Sequence, residues 1–165
     1  MSKLASYNRK RDFQQTSEPE GKVETATASR FVIQKHHASH LHYDFRLEMD
    51  GVLKSWAVPK GPSVVEGEKR LAVMVEDHPV SYIDFKGTIP KGNYGAGKVE
   101  IFDKGQFIVV DDKEKQLSER QALKNLSGGE LKLVLKGKKI KGNYVLVRFK
   151  KEDKNWLLIK EKNKT

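Results

Sequence analysis

The chain contains no cysteine. Disulfides, thiolate zinc sites, iron–sulfur clusters and a cysteine nucleophile are therefore excluded. This is compatible with a reducing compartment, and the expected location is the cytoplasm. No stretch approaches the ~18 consecutive apolar residues of a membrane span, so no membrane partner is expected. Met1 to Lys10 is basic but has no apolar core, which is not the pattern of a secretory signal. What the chain has in quantity is charge: 32 basic and 22 acidic residues among 165, a formal net charge of +10. The excess is uneven. The last 34 residues hold 12 Lys/Arg against 3 Asp/Glu, among them Lys132, Lys136, Lys138, Lys139, Lys141, Arg148, Lys150 and Lys151, while residues 1–131 nearly balance. Two readings stay open at this level: a patch that meets phosphates, or a lysine-rich solvated surface.

Residues 1–29 are polar and poor in large apolar side chains, and read as a mobile or late-ordering arm. From Arg30 the pattern is one of strands. Phe31–Gln34 is short and apolar, His40–Met49 alternates, and Val52–Val58 returns after Asp50-Gly51, a hairpin turn in which both residues tolerate positive φ. Further strands are expected at Leu71–Glu76, Lys98–Phe102, Gln106–Val110, Leu131–Leu135, Tyr144–Phe149 and Trp156–Ile159. Residues 87–97 hold four glycines and a proline and read as a long functional loop. A helix is expected after Ser118, which has capping-box spacing to Gln121; Ala122, Leu123 and Leu126 share one face, and Gly128-Gly129 stops it. About eight short strands with one or two short flanking helices predict a mainly β fold, a compact closed or nearly closed barrel over 30–165. No internal repeat or second domain is visible.

Four of the five histidines fall within seven residues: His36, His37, His40 and His42, followed by Asp44 and Arg46. Strand alternation puts His40, His42, Asp44 and Arg46 on one face and Leu41, Tyr43, Phe45 and Leu47 on the other. Imidazole and carboxylate suit Mn²⁺, Fe²⁺ or Zn²⁺. His42 and Asp44 can share one ion, with a third ligand from His36, His37 or His78. Three protein ligands leave coordination positions open, the catalytic pattern. Arg46, one step along, is placed to clamp an anion. The plain alternative is a solvated polar strand with an Asp–Arg pair. His42-x-Asp44 with a distal His78 also reads as the triad of Fe(II) oxygenases. The many cations nearby (Arg46, Lys60, Arg70 and the C-terminal strands) favour phosphate. His78, in Glu76-Asp77-His78-Pro79, has Tyr82 four residues on; the pair could contact a phosphoryl oxygen or form a packed turn.

The stretch from Phe31 through Lys-His-His-Ala-Ser-His-Leu-His-Tyr-Asp-Phe-Arg to Gly51 resembles the 3′-phosphoesterase domain of bacterial DNA ligase D. So do Ser55-Trp-Ala-Val-Pro-Lys-Gly-Pro62, Arg70-Leu-Ala-Val, Glu76-Asp-His-Pro, Gly87-Thr-Ile-Pro through Gly97, and Trp156-Leu-Leu-Ile-Lys160. The resemblance runs from about Arg11 to the end. It implies a manganese-dependent enzyme, with another divalent transition metal as a substitute, that heals DNA 3′ ends. Such an enzyme removes a 3′-terminal ribonucleoside from a primer–template and then the 3′-phosphate, leaving a hydroxyl. By position in the motif, His36, His42 and Asp44 match metal ligands, and Arg46 and His78 match phosphate-holding residues. Tyr82, Lys60, Arg70 and Gln34 match further catalytic positions. Arg11, Asp12 and Glu18 match an N-terminal substrate-binding segment, which folds the arm over the site. The family usually carries Arg where this chain has His40, and His37 falls at a variable position. Polymerase and ligase domains are not in this sequence, so the expectation is a stand-alone form or a piece cut from a longer protein, with ligase, polymerase and Ku-type end-joining partners acting in trans. A non-catalytic DNA-end-binding module is the rival reading; it predicts salt-sensitive binding without product.

Overall fold

The computed structural model describes residues 3–23, 29–150 and 153–162. Of the features read from the sequence, Met1, Lys151 and arm residues 24–28 lie outside the described residues. Nine strands run in chain order: β1 (Arg30–His37), β2 (Leu41–Met49), β3 (Val52–Val58), β4 (Lys69–His78), β5 (Gly87–Ile89), β6 (Gly97–Val110), β7 (Glu130–Lys136), β8 (Lys141–Arg148) and β9 (Asn155–Lys160). A short helix α1 (Ala5–Arg9) precedes them, a 3-10 helix (Val80–Asp84) follows β4, and α2 (Glu119–Ser127) joins β6 to β7. The strands pair antiparallel in the order β1-β2-β3-β4-β9-β8-β7-β6, and β1 pairs again with β6. The result is a closed eight-stranded barrel with β5 appended to β6.

Alternation fills the interior. Phe31 and Ile33 of β1, Phe45 and Leu47 of β2, Trp56 and Val58 of β3, Leu131 and Leu133 of β7, Tyr144 and Leu146 of β8, and Trp156 of β9 belong to one buried cluster. A barrel of eight strands is just wide enough for side chains to fill it. The Asp50-Gly51 turn has both residues at positive φ, 59° and 75°, as a tight hairpin demands. Ser118 caps α2 with the reciprocal Gln121 capping box, and Ala122 and Leu126 of α2 pack onto the barrel cluster.

The structure departs from the sequence reading in five places. Gly87–Ile89, read as the start of the 87–97 loop, form β5. The two strands expected at 98–102 and 106–110 are one strand of 14 residues. Gly105, which reads as a turn, sits inside it because a Cβ there would lie 2.2 Å from the Lys136 carbonyl oxygen of β7. β1 extends to His37, so His36 lies on a strand rather than before one. β2 begins at Leu41; His40 precedes it, and Leu41, expected in the core, is 47% exposed at the hairpin end. Finally, Leu4 and Tyr7 of the arm are fully buried. They join Val32, Val52, Leu53, Tyr82, Ile83 and Phe85 in a second cluster on the outer wall of β1–β3. The described part of the arm is therefore a packed layer rather than a mobile one.

Candidate active site

The candidate site lies on that outer wall. Antiparallel register sets His36 directly opposite His42, Gln34 opposite Asp44 and Val32 opposite Arg46. The two imidazole rings approach to 4.8 Å between centroids. One donor atom each from His36, His42 and Asp44 lies within 4.8 Å of the others. His36 Nδ1 is 3.3 Å from Asp44 Oδ2, and His42 Nε2 is 3.1 Å from Asp44 Oδ1.

The protons on these rings can be placed. His36 Nε2 is 2.7 Å from the Gly95 carbonyl, and His42 Nδ1 is 3.2 Å from the His40 carbonyl. A carbonyl only accepts, so these nitrogens carry the hydrogens. In the neutral rings the remaining nitrogens are lone pairs, and both are aimed at a carboxylate. Two lone pairs facing an anion repel unless a cation or a proton stands between them. The Asp44 hydrogen bond accordingly raises the His42 pKa. Burial pushes the Asp44 carboxyl up, but the Arg46 charge and the His36 and His42 hydrogen bonds overcome it and hold the group well below the usual carboxylate range. A donor set of two imidazoles and one carboxylate, each ring oriented by a backbone carbonyl, fits a divalent transition metal.

Arg46 is buried beside this set. Its Nε donates to Gln34 Oε1 at 2.7 Å, and its Nη2 lies 3.5 Å from Asp44 Oδ2. Gln34 is in turn fixed, because its amide donates to the Tyr82 and Phe85 carbonyls at 3.0 Å each. Arg46 Nη1 is buried with no hydrogen-bond partner among the described residues. A buried, unsatisfied guanidinium nitrogen is costly unless an anion meets it.

His78, the last residue of β4, donates from Nδ1 to the Glu76 carbonyl at 3.0 Å, so its Nε2 accepts from Arg11 Nη2 at 3.3 Å. Burial, reinforced by the Arg46 and Arg11 charges, lowers its pKa well below the ordinary value. Arg11 also donates to Glu18 Oε2 at 3.0 Å and to the Tyr7 carbonyl at 3.0 Å, and its guanidinium lies 3.9 Å over the Tyr7 ring. Glu18 accepts from Tyr82 Oη at 2.6 Å and from Thr16 Oγ1 at 3.0 Å. Burial and Glu18 raise the Tyr82 pKa against the pull of Arg46.

A cavity of about 320 Å³ joins these groups. His36, His42, Asp44, Arg46, His78, Tyr82, Arg11 and Glu18 all line it. Gln34 lies behind Arg46, fully buried. Three residues fall elsewhere. Asp12 is exposed and accepts the Gln14 amide, shaping the turn before Thr16 rather than the cavity wall. Lys60 and Arg70 line a separate depression. There Arg70 binds Glu68 and donates to the Lys60 and Gly61 carbonyls at 2.8 and 3.2 Å. His37 pairs with Glu100 on the surface and is not in the ligand cluster. Sequence reasoning missed two participants. Tyr7 is on α1 while Arg11 lies beyond its end, so no helical spacing links the two in sequence, and the Gly95 carbonyl leaves no side-chain signal.

Comparison with known proteins follows the same lines. A Pseudomonas aeruginosa protein named multifunctional non-homologous end joining protein LigD is 47% identical over 165 residues, covering 97% of this chain and 19% of that protein. A Mycolicibacterium smegmatis protein of the same name is 45% identical over 157 residues, covering 94% and 20%. A Mycobacterium tuberculosis protein, multifunctional non-homologous end joining DNA repair protein LigD, is 44% identical over 163 residues, covering 98% and 20%. The chain thus spans about a fifth of the length of the curated relatives it matches. The family model described as DNA ligase D 3′-phosphoesterase domain matches residues 34–148, the segment that carries every cavity residue outside the arm, and the chain belongs to that family.

Proposed function

We propose that this chain is a divalent-metal-dependent 3′-end-healing phosphoesterase acting on DNA. It removes a 3′-terminal ribonucleoside and then the 3′-phosphate, leaving a 3′-hydroxyl for repair and end joining. The observation that carries this reading is the adjacency of two features: imidazole lone pairs aimed at one carboxylate, and a buried Arg46 Nη1 awaiting an acceptor. The first calls for a cation and the second for an anion, and a phosphate ester brought to a bound metal meets both demands.

His36, His42 and Asp44 would hold the ion; imidazole with carboxylate suits Mn²⁺, Fe²⁺ or Zn²⁺, and Mn²⁺ is the species proposed from the resemblance to the 3′-phosphoesterase family. When bound, it supplies Lewis-acid neutralisation of a non-bridging phosphate oxygen. Arg46 shares the charge that grows on the phosphoryl group. Its fork is preset by Gln34, so little ordering remains to be done on binding. His78 stays neutral and fixes Arg11 at the cavity wall. In the first step water adds to phosphorus, the bond to the terminal ribonucleoside 5′-oxygen breaks, and the nucleoside leaves with a proton on that oxygen. A second water then releases inorganic phosphate and leaves the 3′-hydroxyl. Positioning and charge stabilisation suffice for such transfers, so no covalent nucleophile is required. The relatives' names contain end joining, and we place ligase, polymerase and Ku-type proteins as partners. Among the described residues no helix is long and apolar enough to cross a membrane.

The test is a labelled DNA strand ending in one ribonucleotide, annealed to a longer template and incubated with Mn²⁺. The expected result is loss of one nucleoside followed by loss of phosphate, abolished by EDTA and by His42→Ala. Tight, salt-sensitive binding with no product in Mn²⁺ would establish the end-binding reading instead, and succinate release from 2-oxoglutarate with Fe²⁺ the oxygenase one.

A further inference from the structure

The cavity carries one aromatic ring that the chemistry above leaves unused. Tyr94 lines the same cavity as His36, Asp44 and Arg46, yet is 48% exposed. Tyr82, the other tyrosine of the lining, is buried and its hydroxyl is committed to Glu18. Tyr94 is therefore not held for packing. Its place is nonetheless fixed. Lys10 Nζ lies 4.7 Å over the ring and 3.5 Å from its hydroxyl, and the Arg11 guanidinium lies 5.4 Å from the ring centroid. Lys10 is held in turn by Glu76 at 3.3 Å. The next residue, Gly95, gives its carbonyl to His36. The ring thus stands one residue from the carbonyl that holds a candidate metal ligand, beside two cations of the arm and about half exposed on the cavity lining. That is how a stacking platform is built: an aromatic face accepts any base, because every base has a π-face.

We propose that Tyr94 stacks on the nucleobase of the 3′-terminal ribonucleoside, the unit that leaves in the first step; this rests on the phosphoesterase reading. Space assigns the terminal unit rather than the chain behind it. A cavity of about 320 Å³ is at the small end of ligand sites and takes one nucleoside. The arm covers the side that Tyr94 occupies, through Lys10 and Arg11. Ala57 of β3 also lines the cavity, and Lys60 is exposed three residues on.

Two measurements test the assignment. In the first, duplexes ending in 2-aminopurine riboside are titrated with the protein in EDTA, so that nothing turns over. Fluorescence quenching is expected for the terminal label, and much less for the same label three positions inward. Tyr94→Ala should remove the terminal quench, and Tyr94→Trp should keep it. In the second, the KM for nucleoside release is compared between a terminal ribonucleotide and a terminal ribose lacking its base. Wild type should favour the base-bearing end about tenfold, as expected for one base–aromatic stack, and Tyr94→Ala should abolish that preference. No terminal quench in wild type, or a preference that survives in Tyr94→Ala, overturns the proposal. Quenching with no nucleoside release in Mn²⁺ would keep the stacking site and overturn the phosphoesterase reading alone. If Tyr94→Ala fails to fold, the wild-type quench and Tyr94→Trp still decide.

Discussion

Arg46 shows how much one side chain can be arranged in advance. Gln34 takes its Nε, Asp44 steadies one terminal nitrogen, and the other is left buried without a partner among the described residues. Lysine keeps the charge but loses the fork, so Arg46→Lys should release Gln34 Oε1 and misplace the cation. A charge-assisted hydrogen bond contributes about 1.5–3 kcal/mol, so kcat/KM on a 3′-phosphate end should fall about ten- to a hundredfold. Steady-state phosphate release measures it, and a fall under threefold would remove Arg46 from the anion site. His78 makes a second prediction through pH. Its folded pKa is depressed below 6.5, so the native state favours the neutral ring. Stability from this group is full above the unfolded pKa and is lost as pH falls below it toward the folded value. His42, with its raised pKa, acts in the opposite sense. Thermal melts of the metal-free protein should therefore show wild type losing Tm relative to His78→Asn below pH 6.5, with the two curves parallel above it.

At the scale of elements, closure of the barrel depends on a glycine that looks like a turn. A Cβ on Gly105 would press on the Lys136 backbone oxygen, which cannot swing aside. Gly105→Ala should cost about 2–3 kcal/mol, read from urea unfolding. The same position explains why the sequence splits β6 in two: the reason for the glycine lies on β7, about thirty residues away, and local pattern carries no trace of it. The His42–Asp44–Arg46 face was legible because alternation alone sets it. His36 as their neighbour was not, since that needs the β1–β2 register. The arm was misread because its few apolar residues, Leu4 and Tyr7, find their partners on the outside of a barrel, where alternation predicts water. Lys60 and Arg70 match active-site positions by the family resemblance, while the fold gives them a depression of their own. The arm yields its own prediction. Glu18 ties Arg11, Thr16 and Tyr82 together from a buried position. Glu18→Ala leaves Arg11 and Tyr82 Oη short of an acceptor, so protease cleavage within residues 3–23 should speed up while the barrel's melting changes little.

Over the whole molecule, the placement of the positive charge decides between solubility and phosphate binding. Lys136, Lys138, Lys139 and Lys141 are exposed around the β7–β8 turn. The buried Asp103 carboxylate anchors that turn, accepting the Lys138, Lys139 and Ile140 amides at 2.8 to 3.0 Å. Lys139 Nζ sits 4.4 Å over Phe102, Phe102 meets Tyr43 edge-on at 5.3 Å, and Tyr43 lies between His42 and Asp44 on β2. The basic turn is thus at the same end of the barrel as the His36–His42 pair and the β3–β4 connection that carries Lys60. If these lysines track a duplex backbone, each phosphate neutralised releases counterions and adds about 0.9 to the slope of log affinity against log salt. Lys138→Glu with Lys139→Glu should then flatten that slope by about two and weaken binding most at low salt, the two proteins converging as salt rises. Fluorescence anisotropy of a labelled primer–template across a salt series reads both quantities. Parallel lines would return these lysines to the solvated surface and leave substrate binding to the cavity alone.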